Sequence, residues 1–386
     1  MQKEKIIIVL TVLIDVLGLG IIVPVLPFYV ESFGTSAITL TMLFSVYALF
    51  SFVSGPFLGA LSDRIGRRPI LIASIFSTAV GWFVFASAHA IWVLFLGRII
   101  DGLAAGNLPI AQSCLVDIAR NDKERTTNLG IIGSIFGIGF IIGPAIGGTL
   151  SSIWHPLPFF FVGGLATGNV IGAMLFLPES LKRTDKEKKM ALNPFRPLIS
   201  AARDKLLRSR YVAWFFFGLS FSGLQSVFAL YMGNVFGFNV AMVGTIYTCM
   251  GIGIFLNQTF LLRFFWLRFF RESTLELWSF LANAMGLMLL MVPSRFFLVF
   301  GIVLHVFSQS LLRVTVASRV AGIAGQLRRG EALGIMSSVL SAAMIAGPLL
   351  AGSLFDIMPF LPFAACSLAL VSGFLTMKFY SSKIAE

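Results

Sequence analysis

Long apolar segments alternate with short polar ones along the whole chain. A helix needs about 20 mostly apolar residues to cross the hydrocarbon core of a bilayer, and the segments reach that length. They lie at residues 5–28, 37–61, 69–88, 91–114, 127–151, 157–178, 210–233, 241–262, 274–292, 295–317, 332–354 and 358–378. The pattern therefore predicts an all-α membrane protein with twelve transmembrane helices.

Lys and Arg residues lie mainly in alternate connections between these segments. The basic connections are 62–68, 120–125, 179–209, 263–271 and 319–329. The connections near 29–36, 89–90, 152–156, 234–240 and 355–357 hold neither residue type, and Arg295 is the exception. Because basic loops stay in the cytoplasm, both termini and the central loop are predicted to be cytoplasmic in a plasma (inner) membrane protein.

The longest basic loop divides the chain into two runs of six segments. We expect an N-terminal half at 1–178, a cytoplasmic linker at 179–209 and a C-terminal half at 210–386. The halves repeat at an offset of 204 residues, since Leu129-Gly130-Ile131 recurs as Leu333-Gly334-Ile335 and Gly143-Pro144 as Gly347-Pro348. Parallel six-helix repeats are typical of secondary transporters whose halves rock about a site at mid-membrane.

Composition excludes several classes of protein. Apolar residues make up 57% of the chain and charged residues 12%, against about 25% charged in soluble domains. The net charge of +12 is spread between apolar segments, so it does not indicate nucleic-acid binding. The cysteines and histidines are few and scattered, which favours neither a metal site nor a disulfide framework. They are Cys114, Cys249, Cys366, His89, His155 and His305.

The loop between the second and third segments carries the most restrictive motif. It reads Gly59-Ala60-Leu61-Ser62-Asp63-Arg64-Ile65-Gly66-Arg67-Arg68-Pro69. Gly66 permits a tight turn, and Pro69 suits the first turn of the next helix. An ordinary excess of positive charge in a cytoplasmic loop does not require this spacing.

This run resembles the loop signature of the major facilitator superfamily, and the resemblance extends over the chain. It implies a fold of two pseudo-symmetric six-helix halves. It also implies that Asp63 braces the start of helix eleven in the outward-open state and that an arginine pairs with Asp117. The implied gating residues are Gly59, Asp63, Arg64, Gly66, Arg67, Arg68 and Asp117. The second half lacks a good copy of the signature at 263–271.

Helix five carries a glycine and proline pattern at residues 139–148. Glycines four residues apart line one face of a helix and let another helix approach closely, and Pro144 removes a backbone donor. The pattern resembles the superfamily's antiporter motif, which is found mainly in exporters. Tight packing alone is the alternative. The motif residues are Gly139, Gly143, Pro144, Gly147 and Gly148.

Two ionisable residues lie within helix four. Arg98 is roughly 10 Å from the outer end at 1.5 Å per residue, and Asp101 is one turn deeper. Such residues are costly in a membrane and often mark a functional path. The superfamily carries this arginine in proton-coupled members. The alternative is that Asp101 merely neutralises Arg98 as an i,i+3 partner.

Asp15 lies near the middle of helix one, in a run that resembles the first helix of tetracycline and multidrug exporters. Protonation would neutralise it and change which conformation is favoured. A structural hydrogen bond within the first half is the alternative. We expect Asp15, Asp101 and Arg98 to carry proton coupling.

The chain also departs from those exporters. The resemblance implies further membrane acids in helices three and nine, as in tetracycline exporters, or in helix seven or ten, as in some multidrug relatives. Helix three has none, and the comparable positions elsewhere hold Asn283, Gln225 and Ser310. Because the second half has almost no membrane carboxylate, coupling rests on the first half. Arg313 is interpreted as a side chain that snorkels to the cytoplasmic surface.

We therefore expect a secondary active transporter, most simply a proton-coupled exporter of a small, partly apolar molecule. The expected partners are that substrate and the lipid bilayer, with no nucleic acid, no cofactor besides protons and a monomeric state. Gln112, Gln225 and Asn283 are expected to line the substrate site. One alternative is an uptake symporter or uniporter for a metabolite or siderophore-like solute. The other is a non-transporting membrane receptor or scaffold. No nucleotide loop, metal cluster or nucleophile constellation indicates an enzyme.

Overall fold

The computed structural model describes residues 3–119, 122–180, 193–204 and 206–382. Within those residues, twelve helices are long and apolar enough to cross a membrane, which confirms the expected fold class. They are α1 (Glu4–Glu31), α2 (Ala37–Ile65), α3 (Arg67–Ala86), α4 (Ile91–Asp117), α5 (Ile131–Ile153), α6 (Leu157–Phe176), α7 (Arg208–Phe236), α8 (Val240–Phe269), α9 (Glu272–Leu290), α10 (Arg295–Gly325), α11 (Arg328–Ile357) and α12 (Leu361–Phe379).

The chain forms two compact units that do not follow chain order throughout. Unit 1 comprises Met1–Thr35, Val46–Pro194 and Asn239–Thr248, and unit 2 comprises Ser36–Ser45, Phe195–Phe238 and Cys249–Glu386. The division differs from the continuous halves expected from the sequence at the starts of α2 and α8. The beginning of α2 packs in unit 2, and the beginning of α8 packs in unit 1.

The predicted linker is not entirely a loop. A short helix, Arg196–Arg203, follows Phe195, and Asp204 then accepts hydrogen bonds from the backbone N–H groups of Leu206 and Leu207 at 3.0 and 3.1 Å. Residues 120, 121, 181–192 and 205 lie outside the described residues. So do the basic residues predicted there, Arg120, Lys182, Arg183, Lys186, Lys188, Lys189 and Lys205.

Three of the long helices contain irregular turns. α4 is interrupted between Ile91–Leu103 and Asn107–Asp117. The residues Asn257–Trp266 of α8 are wound as a π-helix. Gly325 ends α10 with φ 69° and ψ 178°, a conformation that only glycine adopts without strain.

Each unit buries its own apolar core. In unit 1, α1 packs against α5 and α6, and α3 packs against α4 and α6. In unit 2, α7 packs against α12 and the α10–α11 pair, and α9 packs against the same elements. Large apolar side chains such as Phe76, Trp92 and Phe176 remain exposed. Apolar surface of that extent marks contact with lipid rather than water.

Candidate functional site

A polar cluster joins three helices within the membrane part of unit 1. Nδ2 of Asn107 in α4 donates to Oδ1 of Asp15 in α1 at 3.0 Å. The same amide donates to Oγ1 of Thr78 in α3 at 3.0 Å. Asp15 therefore has the structural hydrogen bond considered from the sequence, and its partner is a side chain of another helix.

The interruption of α4 lies between Asp101 and Asn107. The N–H of Ala105 donates to the carbonyl of Gly102 at 3.2 Å, and that of Gly106 donates to Ala104 at 2.6 Å. These short turns replace regular helix at 104–106. Broken helices are tolerated at membrane depth where they are buried in protein or line a cavity.

Sequence reasoning missed the roles of Asn107 and Thr78. In the structure Asn107 is 4% and Thr78 5% exposed. Both are short polar residues inside apolar segments, and this polarity was the only signal in the sequence. A polar group that is buried in a membrane helix needs a hydrogen-bond partner.

The second part of the cluster is an ion pair within α4. Nη1 of Arg98 lies 3.7 Å from Oδ2 of Asp101, and the two residues are 3% and 7% exposed. The guanidinium also lies 4.7 Å from the ring centre of Trp82 and 4.8 Å from that of Phe85. The i,i+3 pairing considered as an alternative is therefore present, and a role in proton coupling stays a prediction.

The residues expected to line a substrate site differ in exposure. Gln112 of α4 and Gln225 of α7 are half-buried. Asn283 of α9 is 2% exposed, and its carbonyl oxygen accepts a hydrogen bond from Nδ1 of His305 at 2.7 Å. This contact argues against a substrate-lining role for Asn283, because it encloses the side chain between α9 and α10.

The loop motif forms a charged cluster at one end of unit 1. Nη1 of Arg67 lies 2.6 Å from Oδ1 of Asp63, and Nε lies 3.2 Å from Oδ2 of Asp117. Arg67 also donates to Oγ of Ser62 at 2.8 Å. The expected pairing of an arginine with Asp117 is present, and the gating role of the cluster stays a prediction.

Glu179 joins this cluster and was missed in the sequence. Its carboxylate accepts hydrogen bonds from the backbone N–H groups of Arg67 at 2.9 Å and Arg68 at 3.1 Å. The N-terminus of a helix attracts an anion in this way. Gly66 has φ 123°, and a Cβ there would collide with the carboxylate of Glu179. Both facts require glycine at that turn.

The other residues of the motif lie around this cluster. Arg64 is exposed at the end of α2. A Cβ added at Gly59 would have no neighbour within 4 Å, so packing does not explain this glycine. Arg68 donates from Nη2 to the carbonyl of Met174 at 2.7 Å, which joins the start of α3 to the end of α6.

Two glycines of α5 are in close contact with α1. A Cβ at Gly143 would lie 2.9 Å from Cα of Gly20, and one at Gly139 would lie 2.6 Å from Cγ1 of Val16. Both distances are shorter than a Cβ contact allows, so the two helices approach each other only because these residues have no side chain.

The remaining residues of the glycine and proline pattern extend this packing to a second helix. Gly147 packs on α1 like the two glycines before it, whereas a Cβ at Gly148 would lie 3.2 Å from the carbonyl oxygen of Val240 in α8. The carbonyl oxygen of Pro144 faces Gly244 of α8. The pattern therefore provides close packing on two sides of α5.

Unit 2 has a buried carboxylate that sequence reasoning undervalued. Glu276 of α9 is 1% exposed. Its Oε1 lies 3.5 Å from Nε of Arg210, and its Oε2 lies 2.9 Å from Nε of Arg319. Glu276 falls at the polar edge of an apolar segment, so the hydropathy pattern does not separate it from loop residues.

Comparison with known proteins agrees with these features. Residues 8–275 match the family model described as Major Facilitator Superfamily. The chain is 29% identical over 362 residues to Quinolone resistance protein NorA of Staphylococcus aureus (strain MSSA476), covering 92% of this chain and 91% of that protein. It is 27% identical over 360 residues to Tetracycline resistance protein, class C, of Escherichia coli, covering 92% and 90%.

Solved structures share the fold. The human organic anion transporter MFSD10 (TETRAN) superposes with a TM-score of 0.72 at 22% identity, covering 97% of this chain and 99% of that chain. The nucleoside transporter NupG superposes with a TM-score of 0.77 at 13% identity, covering 99% of each chain. The twelve helices, the loop cluster and the family match together establish that this chain is an integral, multi-pass membrane transporter of the Major Facilitator Superfamily.

Proposed function

We propose that this protein exports a small, partly apolar molecule across the plasma membrane in exchange for protons, by alternating access and as a monomer. The termini are cytoplasmic in this proposal. The observation that supports it most is the hydrogen-bonded carboxylate Asp15, which joins α1 to α4 through Asn107 at 3.0 Å.

Asp15 is suited to carry the coupling proton. As a carboxylate it only accepts hydrogen bonds, whereas the protonated form also donates one. A proton on Asp15 therefore changes its interaction with Nδ2 of Asn107, which is itself a donor. Because Asn107 of α4 also donates to Thr78 of α3, protonation of Asp15 alters the hydrogen bonds of both helices.

Arg98 and Asp101 supply a fixed ion pair in the same group of helices. Their pairing at 3.7 Å leaves Nε and Nη2 of Arg98 without a hydrogen-bond partner among the described residues. The aromatic rings of Trp82 and Phe85 contact the same guanidinium. We assign Arg98 the role of keeping Asp101 ionised, so that Asp15 is the carboxylate that takes up and releases the proton.

The direction of transport is supported by the names of two relatives. Both NorA and the class C tetracycline protein are named as resistance proteins. The close packing of α5 on α1 at Gly143 and Gly147 adds support, since the resemblance associates this motif with exporters.

The test uses everted membrane vesicles with an imposed proton gradient. Addition of an aromatic antibacterial compound, either a quinolone or a tetracycline, should release protons from vesicles that contain the wild-type protein. Asp15→Asn should abolish this release. Glu31→Gln is the matched control, because Glu31 is an exposed carboxylate at the end of the same helix. Undiminished release by Asp15→Asn would remove Asp15 from the mechanism.

A second measurement decides the direction. Cells that express the wild-type protein should accumulate less of the compound than cells that express Asp15→Asn. Higher accumulation with the wild-type protein would instead support the uptake alternative.

A further inference from the structure

Arg313 is a charged residue within the membrane part of unit 2. It lies in α10, where its side chain is exposed while the adjacent Leu312 is 0% exposed. Its guanidinium lies over the ring of Phe221 in α7, 5.6 Å from the ring centre. The position of the guanidinium is therefore set by a second helix of the same unit.

The depth of Phe221 excludes snorkelling to the cytoplasmic surface. Arg210, in the first turn of α7, pairs with Glu276 and marks one end of the span. Phe221 lies about 16 Å further along α7 at 1.5 Å per residue. A guanidinium that lies over Phe221 is thus directed into the span, and the interpretation of Arg313 as a snorkelling residue is wrong.

Arg313 also differs from the other arginines near it. Arg210 and Arg319 share the carboxylate of Glu276. Within the described ranges, no carboxylate lies in ion-pairing distance of Arg313. Charged side chains at membrane depth almost always face the bundle interior or a water-filled cavity, and they are costly without a partner. An exposed and unneutralised guanidinium at this depth is therefore suited to bind an anion.

The surroundings of Arg313 are aromatic. Along α7, Trp214 stacks on Phe217 with ring centres 4.7 Å apart, and Phe217 stacks on Phe221 with ring centres 6.1 Å apart. This row of rings ends at the guanidinium. Gln225 lies one turn beyond Phe221 on the same face of α7 and is half-buried, so an amide adjoins the aromatic row.

We propose that Arg313, Phe221 and Gln225 form a subsite for the carboxylate of an aromatic organic acid. The guanidinium binds the carboxylate with two parallel hydrogen bonds, and the ring of the ligand lies against Phe221. Gln225 donates to a polar substituent of the ligand. This inference rests on the proposed transport function and specifies the chemical class of its substrate.

Equilibrium dialysis of the purified full-length protein tests the subsite. The probes are 2-naphthoate and anthracene-9-carboxylate, each compared with its neutral amide. The wild-type protein should bind the acids more tightly than the amides. Arg313→Gln should weaken binding of the acids about tenfold or more, as expected for the loss of hydrogen bonds to a charged group. It should leave binding of the amides unchanged.

Three further variants separate charge from geometry. Arg313→Lys should retain part of the preference, because it keeps the charge and loses the bidentate fork. Phe221→Leu should weaken binding of acids and amides alike. Arg295→Gln is the matched control, because it removes an exposed positive charge from the outer end of the same helix, and it should bind all probes as the wild type does.

Equal affinity of the wild-type protein for acids and amides, or failure to bind either acid, would overturn the subsite without the need for any variant. A preference that survives Arg313→Gln would overturn it as well. Binding at equilibrium depends on neither direction nor proton coupling. If the protein prefers the acids to the amides but does not exchange substrate for protons, the subsite stands and the proposed export is refuted. If it exports substrate but shows no preference for the acids, the subsite alone is refuted.

Discussion

Single buried polar residues determine how the membrane helices of each unit are joined. Asn107 uses one amide nitrogen to donate to Asp15 and Thr78, so a single side chain connects three helices. Asn257 of α8 similarly donates to Ser310 of α10 at 2.5 Å. In an apolar environment an unpaired donor is costly. These hydrogen bonds therefore favour the one packing of the helices in which each donor meets its acceptor.

Glu276 provides a prediction at the residue scale. Glu276→Gln removes the negative charge shared by Arg210 and Arg319, which leaves two cations side by side. We expect the apparent free energy of unfolding to fall by about 3 kcal/mol, as for other broken buried ion pairs. Thermal unfolding in detergent micelles measures the change.

The control for this prediction lies one turn away on the same helix. Glu272 is exposed, and its Oε2 accepts a long hydrogen bond from Oγ of Ser318 at 3.4 Å. Glu272→Gln should therefore leave the midpoint of unfolding almost unchanged. Equal effects of the two substitutions would contradict the assigned role of Glu276.

At the scale of helices, close packing of α5 on α1 depends on glycine. A Cβ at Gly143 would lie 2.9 Å from Cα and 3.0 Å from the carbonyl carbon of Gly20. Both contacts are with backbone, so the helices must separate. We expect Gly143→Ala to destabilise the protein by about 2 kcal/mol, which is typical of overpacking, and to slow transport. Thermal unfolding and vesicle transport measure the two effects.

Gly133 offers a matched control in the same helix. A Cβ added there would meet no atom within 4 Å. Because alanine favours helix over glycine by about 1 kcal/mol, Gly133→Ala should be neutral or stabilising. Destabilisation by both substitutions would show that general helix effects, rather than the contact with Gly20, are responsible.

The N-terminus of α2 is capped from another helix. The carboxylate of Asp356, at the end of α11, accepts hydrogen bonds from the backbone N–H groups of Ala37 at 2.8 Å and Ile38 at 3.1 Å. Asp356→Ala should lower the free energy of unfolding by about 1 kcal/mol, as for other lost caps. Because Asp356 is exposed, high salt should reduce the stabilisation that this cap gives the wild-type protein. Glu331→Gln, at the other end of α11, is the control and should lower the free energy of unfolding by less than Asp356→Ala does.

At the scale of the whole molecule, the placement of Lys and Arg predicts sidedness. Cysteines introduced at His89 and Arg196, in a chain whose three native cysteines are replaced, test it because both positions are exposed. A membrane-impermeant thiol reagent should label His89→Cys in intact cells and Arg196→Cys only after permeabilisation. The reverse pattern would place the central connection outside the cell and refute the cytoplasmic termini.

The number and approximate positions of the membrane helices were predictable because a bilayer imposes a length on each apolar segment. The ends of α8 and α10 were predicted wrongly, at 262 and 317, because both helices continue through basic residues to Phe269 and Gly325. The pairing of Arg67 with Asp117 was also expected, from the resemblance. The interruption of α4 at 104–106 and the contacts of Asn107 were not. They depend on which polar side chains of α1 and α3 face α4, and a hydropathy pattern along one helix does not contain that information.

The fold class, the expected sidedness and the residue types of the loop cluster follow from the sequence, because each depends on local composition and spacing. Apart from the pairings of Arg67 with Asp117 and of Arg98 with Asp101, the partners of the buried polar residues became visible only in the folded chain. Asn283 is enclosed by its contact with His305, Glu276 is buried although hydropathy places it at the edge of a loop, and Arg313 lies over Phe221. Burial and pairing are properties of helices packed side by side, so they arise only when residues far apart in the chain meet.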